Sequence, residues 1–111
     1  MKILHKNEGT YVDYSLSGNI LSFREGELTV DLAELQRDYP VSICISENKA
    51  GSLTLGAAWR YVAEIELPAR RSIVEKTGVA DDHGFPVLRR VYLPLSTGDV
   101  VLTLWALKEA E

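Results

Sequence analysis

The residues of this chain that could do chemistry are few, and the densest cluster is Asp81-Asp82-His83. Carboxylates and an imidazole can bind a metal ion, but adjacent residues seldom all point at one ion. The other histidine, His5, is distant in the sequence, so only the fold could bring it close. A solvated turn is the commoner role for such a loop. We therefore expect neither a metal site nor a cofactor.

A glutamate pair and a single cysteine are the next candidates for chemistry. Glu64 and Glu66 stand two residues apart, and paired carboxylates can act as general acid and base. Glutamates that alternate along a strand are more often a solvated face. Cys44 lies between two serines with no base beside it, which favours a structural role. The chain also lacks a phosphate-binding glycine loop, a nucleophile elbow and a zinc-protease motif, so we expect no catalytic residue and no enzyme.

Two arginine pairs, Arg70-Arg71 and Arg89-Arg90, are the candidate partner-binding residues. They fall on two predicted strands of one arm, where they could form a basic patch on a chain of formal net charge -4. Salt bridges to Glu75 and neighbouring carboxylates are the alternative. An acidic chain is not typical of a general phosphate-backbone binder. We expect a protein partner, self or hetero, and no nucleic acid.

Aromatic residues supply a second hypothesis about binding. Tyr39, Tyr92 and Trp105 could line a cleft that takes a small ligand or a carbohydrate. Trp59 and Tyr61 could form a stacking platform. These two share the parity of the large apolar residues around them, which predicts that they pack in the core instead.

The elements that must position these residues are strands. In residues 52–67 every odd position is apolar, which is typical of a strand with one buried face. One straight strand of that length would measure about 50 Å, too long for a compact domain of this size. We therefore expect a bend or bulge at Gly56. A helix that aligns Leu55, Trp59 and Val62 is the alternative.

Shorter alternating runs separated by turn residues predict the remaining strands. Residues 11–17, 20–24 and 28–32 predict an antiparallel meander, and the alternation of residues 41–46 predicts a further strand. A short helix is predicted near 31–39, because Asp31 can cap its first turn.

Residues 68–95 predict a β-arm. Two strands flank a glycine-bounded loop, and the first of them is polar for a strand, which an arm that projects from the core would tolerate. The turn that follows predicts a hairpin in which Leu95 lies opposite Val100 and Leu93 opposite Leu102.

Length and composition set the class of the protein. The chain has 111 residues, 46% of them hydrophobic and 25% charged, which is ordinary for one globular domain. Its single cysteine excludes an internal disulfide. No apolar stretch is long enough for a signal peptide or a membrane span, so we expect a cytoplasmic protein and no membrane partner. The predicted fold is all-β, a single domain over 1–111: an antiparallel β-sandwich or partly open barrel of about 7–8 strands.

Three segments carry a resemblance: RYVAEIELPAR at 60–70, LTLWAL at 102–107 and YVDYSL at 11–16. They resemble a set of small uncharacterised bacterial proteins, some of which are candidate prophage proteins. That set has no assigned activity, so the resemblance implies an assembly or accessory role and no catalytic residue. The predicted function is a non-catalytic, phage-related interaction or assembly module that uses the arm and exposed strand edges. A small-ligand or carbohydrate-binding module with an aromatic-lined cleft is the alternative.

Overall fold

The computed structural model describes residues 1–109, and its regular secondary structure is almost entirely β-strand, which confirms the all-β class. The strands are β1 Lys2–His5, β2 Gly9–Thr10, β3 Tyr14–Ser17, β4 Ile20–Phe23, β5 Leu28–Asp31, β6 Val41–Glu47, β7 Leu53–Leu55, β8 Arg60–Leu67, β9 Ser72–Ala80, β10 Pro86–Tyr92, β11 Val101–Leu104 and β12 Lys108–Glu109. The helix α1 spans Leu32–Leu35, and a 3-10 turn spans Thr97–Asp99. Within the described part of the chain, no helix has the length and apolar character needed to cross a bilayer.

Two sheets enclose the core. A five-stranded sheet has the order β1-β11-β8-β6-β7, and a three-stranded sheet has the order β3-β4-β5. One cluster of buried side chains joins them, drawn mainly from the inner faces of both sheets: Val12, Leu21, Phe23, Val30, Leu32, Ile45, Leu53, Val62, Ala63, Ile65, Leu67, Val100, Leu102 and Leu104. The pairing of β1 with β11 is parallel, which departs from the all-antiparallel pairing that was predicted.

The predicted meander is present in the three-stranded sheet. β3 pairs with β4 and β4 with β5, both antiparallel, so that Leu21 lies opposite Leu16 on one side and Val30 on the other. The helix that follows is also where it was predicted, but it has a single turn. The Asp31 carboxylate caps it by accepting hydrogen bonds from the amides of Ala33 (3.1 Å) and Glu34 (3.3 Å).

Residues 52–67 form two strands instead of one long bent strand. β7 and β8 lie on opposite sides of β6 in the sheet order, so the chain crosses over one end of β6 between them. Gly56 begins the crossing: its φ is +94°, and its amide donates to the carbonyl of Cys44 at 2.7 Å. The direction of the chain therefore changes at the predicted glycine, but the chain leaves the ladder there.

The prediction that Trp59 and Tyr61 lie in the core is wrong, because these side chains are 59% and 47% exposed. Trp59 is on the crossover and belongs to no strand. Tyr61 follows it in β8, but the register between β6 and β8 shifts between Ile45 and Ser46. An irregularity of this kind breaks the two-residue alternation of faces, and the neighbouring Val62 and Ala63 are both fully buried. Odd and even positions therefore exchange faces within the strand.

The predicted hairpin between residues 91–95 and 100–104 is also absent. β11 pairs with β1 and β8, so it has neighbours on both sides. Leu93 is held elsewhere, because its amide donates to the carbonyl of Arg71 at 2.9 Å. Leu102 and Leu104 are buried on the inner face of the five-stranded sheet, and that burial favours a central position over a two-stranded hairpin.

The molecule is elongated. Its principal extents are 71 × 23 × 21 Å and its Cα radius of gyration is 19.1 Å. A compact chain of this length would have a radius of gyration of about 13 Å. The excess length comes from the hairpin of β9 and β10, which is a separate two-stranded sheet whose strands pair only with each other.

Candidate functional site

The β-arm, defined here as β9, β10 and the turn between them, has a well-formed ladder. Ile73 lies opposite Val91, and Glu75 lies opposite Arg89. The register shifts between Pro86 and Leu88, where the two strands pass an irregularity before the tip.

The tip of the arm contains the acidic cluster that was considered as a metal site. One oxygen of the Asp81 carboxylate accepts hydrogen bonds from the amides of His83 and Phe85, both at 2.9 Å. This carboxylate closes the turn, as side chains of aspartate commonly do. Among residues 1–109 there is no group of three or more His, Cys, Asp or Glu residues placed to hold a metal ion.

One face of the arm combines apolar and basic side chains. Residues that pair across a ladder share a face, and three such pairs place six side chains together. Beside the small Ser72, the other five are named here the arm face: Val74, Lys76, Leu88, Arg90 and Tyr92. All five are exposed. Neither Lys76 nor Arg90 belongs to any ion pair among the described residues.

The opposite face of the arm carries Ile73, Val91 and the pair Glu75–Arg89. Arg89 donates to Glu75 at 2.9 Å from Nε and at 2.6 Å from one terminal nitrogen. Both faces of the arm therefore expose apolar side chains to solvent. A two-stranded hairpin is only marginally stable in water by itself, and both outer edges of this one carry unpaired backbone groups.

The root of the arm is fixed to the body. Arg71 forms an ion pair with Asp99. Arg70 forms one with Asp38 at 3.2 Å, and its guanidinium lies 5.0 Å from the ring centroid of Tyr92. The four candidate arginines thus serve different roles. Two of them anchor the root and Arg89 pairs within the arm, whereas Arg90 is on the arm face.

The structure does not bring Tyr39, Tyr92 and Trp105 together. Tyr92 is at the root of the arm, and the Trp105 amide bonds to Val62 near the start of β8, at the other end of the body. Two cavities of about 220 and 190 Å³ lie near the arm root, and neither is lined by any of the three aromatic residues. The larger is lined by Glu66, Val101 and their neighbours.

The outer face of the five-stranded sheet, opposite the core, is open. Registers among β6, β8 and β11 place five of its side chains together, named here the sheet face: Tyr61, Glu64, Glu66, Val101 and Thr103. All of them are exposed or half-buried. Trp105 extends the sheet face, since its ring centroid lies 5.8 Å from that of Tyr61. Cys44 is opposite Glu64 on the same face and is a free, partly buried cysteine.

A buried ionic cluster lies at the β6–β8 end of the body. The Glu47 side chain, 8% exposed, forms ion pairs with Arg24 and with Arg60, the latter at 2.8 Å. The hydrogen bond from Arg24 does most to lower the pKa of the Glu47 carboxyl, and the hydrogen bond and charge of Arg60 add to it, while burial opposes them. Arg60 also donates to the carbonyl of Leu107 at 3.0 Å. The cluster connects four segments that are distant in the sequence, so its arrangement is structural.

Comparisons with protein-family models, with curated proteins and with solved structures found no match to this chain. The resemblance to small bacterial proteins therefore stays a prediction.

The sheet face is not predictable from the sequence alone. The spacing of Glu64 and Glu66 predicts a solvated strand face, with a general acid–base pair as the alternative, and does not reveal the register that places Tyr61 and Val101 beside them. The signal that was present is the alternation of Glu64 and Glu66 with Ala63, Ile65 and Leu67, which indicates one buried and one open face.

Proposed function

We propose that this protein is a non-catalytic interaction or assembly module that contacts a protein partner through the β-arm and its exposed strand edges. The observation that carries the proposal is the exposure of large apolar side chains on both faces of an arm whose strands pair only with each other. An arm of this kind gains stability when a partner covers its faces or extends its edges. The core contains no residue of β9 or β10, so the arm is not needed to complete it.

A phage-related role and a cytoplasmic location belong to the same proposal. The first rests on the resemblance of residues 11–16, 60–70 and 102–107 to small bacterial proteins. The second rests on the single cysteine and the absence of a long apolar run in the sequence.

The proposal predicts that a charge on the arm face disrupts association. Val74→Asp places a carboxylate at a side chain that is 61% exposed, and Tyr39→Asp is a matched control on the body at 63% exposed. In size-exclusion chromatography with light scattering, we expect the wild-type chain to associate at high concentration. The Val74→Asp variant should be shifted towards the monomer, whereas the Tyr39→Asp variant should behave as wild type.

Association that Val74→Asp leaves unchanged would contradict a role for the arm. A wild-type chain that stays monomeric at high concentration would contradict self-assembly, and the partner would then be a different protein.

A carbohydrate-binding role is a second candidate, favoured by the exposure of Trp59 and by the adjacent rings of Tyr61 and Trp105. Exposed aromatic rings can stack on sugars, but the planes of Tyr61 and Trp105 are inclined by 38° and do not form one flat platform. Titration of the tryptophan fluorescence with a panel of oligosaccharides tests this role. A saturable change that Trp105→Ala abolishes would support it, and an unchanged spectrum at millimolar sugar would contradict it.

A further inference from the structure

Two surfaces of this chain are complementary to each other. The arm face has two cations outside any ion pair of the described residues, Lys76 and Arg90, set among Val74, Leu88 and Tyr92. The sheet face has two carboxylates, Glu64 and Glu66, that are also outside any ion pair of the described residues. They are set among Tyr61, Val101 and Thr103. Lys2, which pairs with Val101, also lies on this side of the sheet, so the three charges there sum to -1, against +2 on the arm face.

The dimensions of the two surfaces also agree. Seven residues of β10 and eight of β8 correspond to strands of about 23 and 26 Å at the usual rise. A two-stranded ribbon laid on the open sheet at the usual spacing of about 10 Å would add a layer to the sandwich.

The arm does not cover the sheet face of its own chain, because β9 and β10 pair only with each other and the sheet-face side chains are exposed or half-buried. Its root is held by the Arg71–Asp99 ion pair and by the hydrogen bond from Leu93 to Arg71, and it extends away from the body along the long axis of the molecule. A second copy of the chain is the occupant that supplies the complementary face.

The distribution of charge along the chain favours the same occupant. Residues 68–95 contain five basic and three acidic side chains, whereas the remaining residues contain seven basic and thirteen acidic ones. The arm region therefore has a net charge of +2 and the remainder a net charge of -6. Copies of the chain attract one another when the arm region of one approaches the body of the next.

We propose that the arm face of one copy packs on the sheet face of a second copy, with Lys76 and Arg90 paired to Glu64 and Glu66. The proposal rests on the interaction function proposed above and names its partner. The apolar side chains of the two faces exclude water from the contact, and the ion pairs set the position of the ribbon on the sheet.

Charge reversal of each surface tests the contact. The arm variant is Lys76→Glu with Arg90→Glu, and the sheet variant is Glu64→Arg with Glu66→Arg. In each variant alone, the arm face and the sheet face carry charges of the same sign and repel each other. We therefore expect the dissociation constant for self-association, measured by light scattering, to rise at least tenfold. In an equal mixture, every arm face meets a sheet face of opposite charge, and a mixed complex should form.

A matched control places the same change of charge elsewhere. Asp13→Arg with Glu34→Arg reverses two exposed carboxylates outside both faces, and this variant should associate as wild type does. Thermal unfolding, monitored by circular dichroism, checks that each variant is folded. Recovery of association in the mixture shows directly that both variants retain their surfaces.

Three outcomes would overturn the inference. If the sheet variant associates as wild type does while the arm variant does not, the arm binds a surface other than the sheet face. That result overturns the inference but leaves the interaction function of the arm intact. A mixture that does not recover association would show that the two faces do not meet. A wild-type chain that stays monomeric at low ionic strength would exclude a second copy as the partner. If the arm variant also associates as wild type does, the interaction function of the arm fails as well.

Discussion

Glu47 is the one charged residue that is buried among residues 1–107. It is buried, and two arginines from different segments satisfy it. The sequence places Glu47 in a polar run before Gly51 and gives no sign of its burial. The reason is that its partners, Arg24 and Arg60, are brought to it only by the pairing of strands that are distant in sequence.

Replacing Glu47 with Gln should lower the free energy of unfolding by about 2 kcal/mol, because Arg60 then has no ion-pair partner among the described residues and Arg24 keeps only its longer pair with Glu27, at 3.5 Å. Glu75→Gln is the matched control: it breaks the exposed Glu75–Arg89 pair on the arm and should change the unfolding free energy by less than about 0.5 kcal/mol. Urea denaturation measures both. Equal effects of the two substitutions would contradict the structural role of Glu47.

The same carboxyl makes stability depend on pH. Folding lowers the pKa of Glu47, chiefly through the hydrogen bond from Arg24. Its contribution is therefore complete above the pKa of the unfolded chain and is lost as the pH falls through the folded-state pKa. In urea titrations from neutral to acid pH, the wild-type chain should lose more stability than the Glu47→Gln variant. Parallel curves would contradict this assignment.

At the scale of elements, the alternation of apolar residues predicted the meander, the short helix and the strands β6 and β8, because each of these depends on local pattern. It failed at residues 52–61, where the apolar odd positions continue through a crossover outside any ladder. It also failed to predict the partners of β11, because the parallel pairing with β1 joins the two ends of the described chain. Strand pairing at long range leaves no mark in local spacing.

A substitution at Gly56 tests the backbone conformation at the start of the crossover between β7 and β8. The φ of +94° at Gly56 is one that other residues rarely adopt, and a Cβ there would meet nothing within 4 Å. The effect of Gly56→Ala on stability therefore reports backbone strain without a steric clash. We expect a loss of about 1–2 kcal/mol in unfolding free energy. Gly98→Ala is the control, since its added Cβ would meet only the Ser96 hydroxyl oxygen, at 3.8 Å. A Gly56→Ala variant as stable as wild type would contradict the strained turn.

At the scale of the whole molecule, the arm sets the shape. Small-angle X-ray scattering on dilute, monomeric protein should give a radius of gyration near the 19.1 Å of the Cα atoms. Replacing residues 72–92 with a short glycine-serine turn should reduce it to about 13 Å. A value near 13 Å for the wild-type monomer would show that the arm folds back on the body, in conflict with the extended shape described here.

The proposed function requires that the arm is not stable without a partner, and amide hydrogen exchange measures the stability of each strand separately. In dilute protein, amides of β9 and β10 should exchange far faster than those of β6 and β8, because an isolated two-stranded hairpin opens readily. At high protein concentration the arm amides should become protected as a second copy covers them. Protection of the arm equal to that of β8 at every concentration would show a hairpin that is stable alone, and would contradict the account.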